Sequence, residues 1–267
     1  MTRYARISGT GSSAPDRVLT NADLEKIVDT SDEWITARSG IKERRIATPG
    51  QTGSDYAFKA SLKALEMAGV DADELDMIML ATITPDAPLP STACILQNRL
   101  GASNAAVVDI AAACSGFVYG LSFARSMILA GQMEKILVIG VEMLSYITNW
   151  RDRNTCVLFG DGAGAAVVCA SNEPGGILNT YIKGDGSLGH LLEVPIGGTR
   201  IPLTAANVNE DGRYVHMEGA EIFKAAVKAM GEAATKILEM SKVDSDEISL
   251  MIPHQANIRI IEATAKR

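Results

Sequence analysis

Residues 65–75 read LEMAGVDADEL, and residues 238–248 read LEMSKVDSDEI. Seven of these eleven positions are identical, at an offset of 173. A second match, ISGTGS at 7–12 against IKGDGS at 182–187, falls at an offset of 175. Two matches in the same order at nearly one offset mark an internal duplication. Each copy carries the same local logic. Phe58, Leu62 and Leu65 recur at helical spacing before the first match, and Phe223, Val227, Met230, Ala234 and Ile237 before the second. A polar turn follows, then a short apolar run, MIMLA at 77–81 and SLMI at 249–252. Unbroken apolar runs of that length predict strands covered on both faces.

The first copy continues with a strand at AAVVDI (105–110), a helix from Ser115 to Ala130, and strands at KILVIGVE (135–142) and GAAVVCA (164–170). Strands alternating with helices predict an α/β protein with largely parallel or mixed sheets. The duplication divides the chain into an N-terminal half, 1–172, and a C-terminal half, 173–267. At the repeat offset Arg267 corresponds to about Cys94. The second half therefore reads as incomplete, without counterparts of AAVVDI, the long helix and two further strands, and a longer natural C-terminus is expected.

Composition narrows the function. The 267 residues are 47% hydrophobic and 21% charged, with a net charge of −7. That is globular and acidic, which disfavours nucleic acid as a partner. No apolar run is long enough for a membrane span, and the first residues hold no signal-peptide core, so a cytoplasmic protein is expected. The four cysteines, Cys94, Cys114, Cys156 and Cys169, form no C-x-x-C pair and no metal-ligand spacing with histidine, so they read as free thiols.

Cys114 lies in DIAAACSGFVYG (109–120), where a strand meets a helix. Backbone N–H groups at a helix start are unpaired, and the dipole there favours an anion. The thiol's pKa is therefore expected to fall, and the same N–H groups offer a hold for a thioester oxyanion. Ala111, Ala112, Ala113 and Gly116 leave room for an incoming chain, and Gly116 and Gly120 permit close helix packing. The plain reading is a small core cysteine. Cys156 and Cys169 sit in or beside apolar runs and read as core, and Cys94 as structural. Of three histidines, His190 and His216 lie in polar, glycine-containing stretches. His254, in MIPHQANIRIIEATAKR, follows a proline at the end of the second copy's strand, where α/β proteins concentrate functional residues. Duplicated halves would bring Cys114 and His254 toward a shared cleft. The plain reading of His254 is an ordinary turn residue.

Taken together, TNADLEKIVDTSDEWITARSGIKERR (20–45), AAACSGF (111–117), FGDGAGAAVV (159–168) and PHQANIRII (253–261) closely resemble β-ketoacyl-ACP synthase III, a thiolase-fold family that starts type II fatty-acid synthesis. GDGAGA alone resembles a phosphate loop, but it lacks the G-x-G-x-x-G form between strand and helix. The resemblance implies two similar α/β halves in a layered αβαβα arrangement and a homodimer. It implies that Cys114 takes an acyl group from acyl-CoA. Malonyl-ACP then loses carbon dioxide, and its enolate attacks the acyl-cysteine to give β-ketoacyl-ACP. His254 would stabilise the enolate oxygen. A family asparagine in an H-G-N-T-S-like motif and a glycine-rich pocket segment lie beyond the end of this sequence.

The same resemblance assigns Trp34 and Arg153 to an adenine sandwich, with Thr30 and Arg38 beside it. Gly219 and Asn257 would line a pantetheine channel. Lys224, Arg259, Lys266 and Arg267 would dock the acidic carrier protein, giving an acidic enzyme the local basic patch it needs. A half-buried core tryptophan and a solvated charged helix face are the plain readings of these residues. No cofactor or metal is implied, since acyl-CoA and malonyl-ACP are substrates. Leu89, in DAPLPS (86–91), stands where the family often has phenylalanine near the acyl pocket. Other condensing enzymes or acyltransferases of this fold, including those of secondary metabolism, and a non-catalytic carrier-binding relative share much of the pattern.

Overall fold

The structure, a computed structural model, describes residues 2–267. In chain order its elements are β1 (Tyr4–Ser13), β2 (Val18–Thr20), α1 (Asn21–Leu24), α2 (Asp32–Ser39), β3 (Glu43–Arg45), α3 (Gly53–Ala68), β4 (Met77–Ala81), α4 (Thr92–Leu100), β5 (Ala106–Ile110) and α5 (Gly116–Leu129). They continue with β6 (Lys135–Met143), β7 (Asp161–Ser171), β8 (Leu192–Glu193), β9 (His216–Met217), α6 (Gly219–Ser241) and α7 (Ile258–Ala265). Two compact units divide them. The first comprises the segment ending at Arg17, Ala47–Met143 and Asp161–Ile182; the second comprises Val18–Ile46, Leu144–Gly160 and Lys183–Arg267. Duplication and compactness thus divide the chain differently. The stretches 18–46 and 144–160 leave the first copy's chain path and pack with the C-terminal segment.

The first unit is a five-stranded mixed sheet in the order β1-β7-β6-β4-β5. β4 runs parallel to both β5 and β6, while β7 is antiparallel to β6 and β1. Alternate residues face opposite sides of a strand. Ile78 and Leu80, with Leu137, Ile139 and Val141, therefore pack with α3 and α4 residues on one face. Met79, Ile136 and Val138 meet Ala124 and Ile128 of α5 on the other. Both faces are covered, which is why these runs are apolar without alternation. The α3 helix was expected from Phe58, Leu62 and Leu65, yet its most buried face also includes Tyr56, Ala57, Ala60 and Ala64, and Leu62 is exposed. A Cβ on Gly9 or Gly11 of β1 would stand 2.3 Å from the Ala64 carbonyl oxygen or 2.1 Å from that of Ala60. The strand and helix touch backbone to backbone, and only small side chains fit there.

In the second unit, Leu19, Leu24, Ile35, Ile46, Cys156 and Val157 form a small core. Buried Arg44 ties it together: its guanidinium donates to the Val157 carbonyl oxygen and to Asn21 Oδ1. The long helix α6 and the shorter α7 pack on each other. The strand expected at 249–252 is not formed, and Leu250, Met251 and Ile252 are exposed. No strand lies beside this segment among the described residues, so its backbone has no ladder to join. The segment matching β1, at 182–187, is likewise not a strand.

Candidate active site

The nucleophile candidate sits where β5 hands the chain to α5. Residues Ala113–Ser115 make one 3-10 turn, and α5 begins at Gly116. Ala113 has φ +45°, in the left-handed region that costs an alanine roughly 1 kcal/mol. The turn is pressed onto the sheet because the helix start carries no side chain. A Cβ on Gly116 would lie 2.6 Å from Ala81 Cβ, and one on Gly120 would lie 2.6 Å from Val138 Cγ1. Both glycines serve the close packing expected of them. Cys114 is exposed, whereas Cys156 is buried and Cys94 and Cys169 are partly buried.

One expectation is reversed. The Cys114 thiol is pushed up from its ordinary value, not down: desolvation by surrounding protein is the main cause, Glu142 adds a like charge, and the residue's own N–H pulls the other way. The N–H of the turn does act on the sulfur, but crowding and the carboxylate outweigh it.

Glu142, at the end of β6, is a group the sequence reading passed over. Its Oε1 accepts from the Ile83 N–H at 3.0 Å and its Oε2 from the Thr84 hydroxyl at 2.7 Å. Burial pushes its carboxyl up, and these hydrogen bonds oppose that shift. Asp109 was also missed: it accepts from the N–H groups of Thr92 and Ala93 at 2.8 Å each, anchoring the start of α4 to β5. The available signal in both cases was a lone carboxylate in a strand of mostly apolar residues.

The remaining candidates belong to the second unit. Ser31 caps α2 by accepting from the Trp34 N–H, and Trp34 and Arg38 follow on the helix. The Arg38 guanidinium stands 4.3 Å from the Trp34 ring centre and that of Arg153 stands 5.2 Å away. Arg153 is anchored through the Asp29 carbonyl oxygen at 2.9 Å. The hydroxyl of Thr30 is buried with no hydrogen-bond partner. The structure thus gathers Trp34, Arg38 and Arg153 around one indole, with an unsatisfied hydroxyl four residues before it on the chain. A planar, hydrogen-bonding ring system suits such a surface.

His254 lies in the irregular stretch between 249 and α7, exposed at the residue level, with partial desolvation of the ring pushing its imidazole pKa below the ordinary value. Asn257 caps α7, accepting from the Ile260 N–H at 2.9 Å. Next to it, Ile258 lies under Gly40 at the end of α2. Gly219 opens α6. Lys224, Arg259, Lys266 and Arg267 are all exposed, and three of them already have neighbours. Lys224 pairs with Glu221 at 2.8 Å, and Arg259 stands 5.9 Å from the Phe223 ring centre. Arg267 packs against Gly231 in a shallow hollow with Glu232 and Glu239.

A family model described as 3-oxoacyl-[acyl-carrier-protein (ACP)] synthase III matches residues 108–186, the segment holding the Cys114 turn. The β-ketoacyl-[acyl-carrier-protein] synthase III of Caldanaerobacter subterraneus subsp. tengcongensis is 55% identical over 98% of this chain and 80% of its own length. The chain belongs to the β-ketoacyl-ACP synthase III family. The crystal structure of 3-oxoacyl-[acyl-carrier-protein] synthase III from Aquifex aeolicus superposes with a TM-score of 0.90 at 49% identity, covering 98% of this chain and 80% of that one. A priming β-ketosynthase of a polyketide biosynthetic pathway gives 0.91 at 34% identity, covering 100% of this chain and 78% of its own. As a β-ketoacyl-ACP synthase III relative, the chain is a condensing enzyme of the acyltransferase type, in fatty-acid synthesis, with a thiolase-like α/β fold. Leu89, the departure from the family pattern, is 86% exposed at the tip of the loop between β4 and α4. Among the described residues no cluster of His, Cys, Asp and Glu could hold a metal ion, and no helix is long and apolar enough to cross a membrane.

Proposed function

We propose that the chain condenses a short acyl-CoA with malonyl-ACP through an acyl-Cys114 intermediate. The Cys114 sulfur attacks the acyl-CoA thioester, and CoA leaves as its thiol with the cysteine's proton. Malonyl-ACP then loses carbon dioxide, and its enolate carbon bonds to the acyl carbonyl carbon. The carbon–sulfur bond to Cys114 breaks, β-ketoacyl-ACP departs, and the released thiolate takes a proton from solvent to restore the thiol. His254, neutral at working pH, donates a hydrogen bond to the enolate oxygen, where negative charge builds during decarboxylation. A preorganised donor of this kind lowers such a barrier by about 3 kcal/mol. The reaction uses acyl-CoA and malonyl-ACP as substrates and needs no cofactor.

One observation carries the reading: Cys114 alone of the four cysteines is exposed, on a strained turn at the start of a helix. The CoA half rests on the indole and guanidiniums of Trp34, Arg38 and Arg153 with the partnerless Thr30 hydroxyl. Gly219 and Asn257 would border the pantetheine arm, and the exposed cations Lys224, Arg259, Lys266 and Arg267 would meet an acidic carrier. A cytoplasmic homodimer fits this role.

Intact-mass measurement after exposure to acetyl-CoA tests the central step. One acyl mass should appear on wild-type protein and none on Cys114→Ser. His254→Ala should keep the label yet lose carbon dioxide release from malonyl-ACP by roughly 100-fold or more. Undiminished labelling of Cys114→Ser would overturn the assignment.

A further inference from the structure

The C-terminal ends of β4, β5 and β6 lie side by side. Ala81 pairs with both Ile110 and Gly140, and the Thr82 N–H donates to the Ile110 carbonyl oxygen. The nucleophile turn sits on this rim: Gly116 rests on Ala81, and the Phe117 side chain packs on Gly140. Gly140 and Glu142 are two residues apart on β6 and so face the same side of the sheet. Glu142 therefore projects from the strand end toward the turn that carries Cys114.

The hydrogen bonding fixes the form of that carboxyl group. The Ile83 N–H can only donate. The Thr84 oxygen already accepts from the Met143 N–H at 2.8 Å, leaving its proton for Glu142 Oε2. The Thr82 oxygen accepts from the Thr84 N–H at 3.0 Å and stands 3.5 Å from Glu142 Oε2. These partners donate to the carboxyl group, which suits a carboxylate. The other carboxylates near these strand ends are held elsewhere: Asp86 by the Ser54 N–H, Asp109 by Thr92 and Ala93, and Asp161 by the Ala47 N–H. Glu142 enters no ion pair with lysine, arginine or histidine among the described residues.

We propose that Glu142 is a positioning residue for the nucleophile: its carboxylate clamps the loop after β4 beside the Cys114 turn and places a fixed negative charge facing the sulfur, holding the resting thiol in its protonated form. A protonated thiol reacts slowly with stray electrophiles and oxidants. The field of Glu142 thus guards the cysteine between turnovers. The upward push on the Cys114 thiol, with Glu142 among its causes, agrees with this geometry.

The inference rests on Cys114 as the nucleophile, but its test needs no turnover and so fails independently of the condensation reading. Iodoacetamide alkylation of Cys114 in the full chain is followed from pH 6 to 10, with the modified peptide located by mass. Glu142→Gln should move the profile toward acid and raise the rate at pH 7.5 roughly three- to tenfold, while Glu142→Asp should stay near wild type. A Glu142→Gln profile superimposed on wild type, or raised equally at every pH, would overturn the proposal and leave Glu142 a structural clamp. If Glu142→Gln does not fold, Glu142→Ala is read in its place: a midpoint moved toward acid supports the proposal, and one left at the wild-type value overturns it.

Discussion

Residues 65–75 and 238–248 adopt the same local structure in two different settings. Each begins in the last turn of a helix and closes it with a left-handed residue, Gly69 or Lys242, whose N–H reaches back to that turn. Each continues into a 3-10 turn with a reciprocal cap, Asp71 with Glu74 and Asp244 with Glu247. Beyond the cap the copies part. In the first, Met77–Ala81 becomes β4, flanked by β5 and β6. In the second, residues 249–256 form no regular element, and α7 begins at Ile258. Caps are made by residues three or four apart and are written locally. A strand is completed only by its neighbours. At the repeat offset His254 stands where the first copy has Ala81, at the end of its strand. The repeat thus sets a histidine at a position that the first half uses for helix packing.

The sharpest way to break the comparison is to shorten the same repeat position in each copy. Met79 is 1% exposed between sheet and α5, and its counterpart Ile252 is 79% exposed. Met79→Ala should cost about 2–5 kcal/mol of unfolding free energy through the cavity it leaves. Ile252→Ala should stay within about 0.5 kcal/mol. Chemical denaturation of both variants of the full chain reads the difference directly. A large loss from Ile252→Ala would show that the second segment is packed after all.

Much of this contrast was legible in the sequence. Apolar runs announced β4 to β7, helical spacing announced α3 and α6, and α5 was expected between two of those strands. The apolar strand run ending at Ile110, followed by the expected helix, marked the strand-to-helix junction at Cys114. Three features were not legible, each for a physical reason. The excursions 18–46 and 144–160 join the second unit because of where they pack, which periodicity does not encode. The run at 249–252 has strand composition but no partner among the described residues. The direction of the Cys114 shift depends on how many atoms crowd the sulfur and on Glu142, which lies 28 positions away on β6. A helix start can be read from neighbouring residues; desolvation and a distant charge cannot.

A smaller contrast lies in the paired glycines of ISGTGS and IKGDGS. Gly11 admits the α3 backbone so closely that an added Cβ would meet the Ala60 carbonyl oxygen at 2.1 Å. Its counterpart Gly186 has nothing within 4 Å, and its φ lies outside the left-handed region. Gly11→Ala should therefore destabilise by about 1–3 kcal/mol as strand and helix are forced apart, and Gly186→Ala by less than about 0.5 kcal/mol. Thermal melts of both variants would sharpen the comparison. Equal shifts would mean that the glycines serve the same packing role in both copies.

The smallest effect concerns the helix stops themselves. Gly69 closes α3 at φ +63° without strain, while Lys242 closes α6 at φ +52° with a side chain that disfavours that region. Lys242 stands where its counterpart is glycine, yet it holds the same backbone conformation, with the N–H of Lys242 bonded to Leu238 and Glu239 and that of Val243 to Leu238. Lys242→Gly should relieve the left-handed penalty and gain up to about 1 kcal/mol, less the entropy a glycine adds to the unfolded chain. Gly69→Lys should lose a comparable amount. Urea midpoints of the two reciprocal variants would shift in opposite directions if the shared cap geometry is what the repeat preserves. If Lys242→Gly lowers stability, the lysine contributes more through its stem on α6 than its backbone loses, and the two stops are alike in form but not in energetic origin.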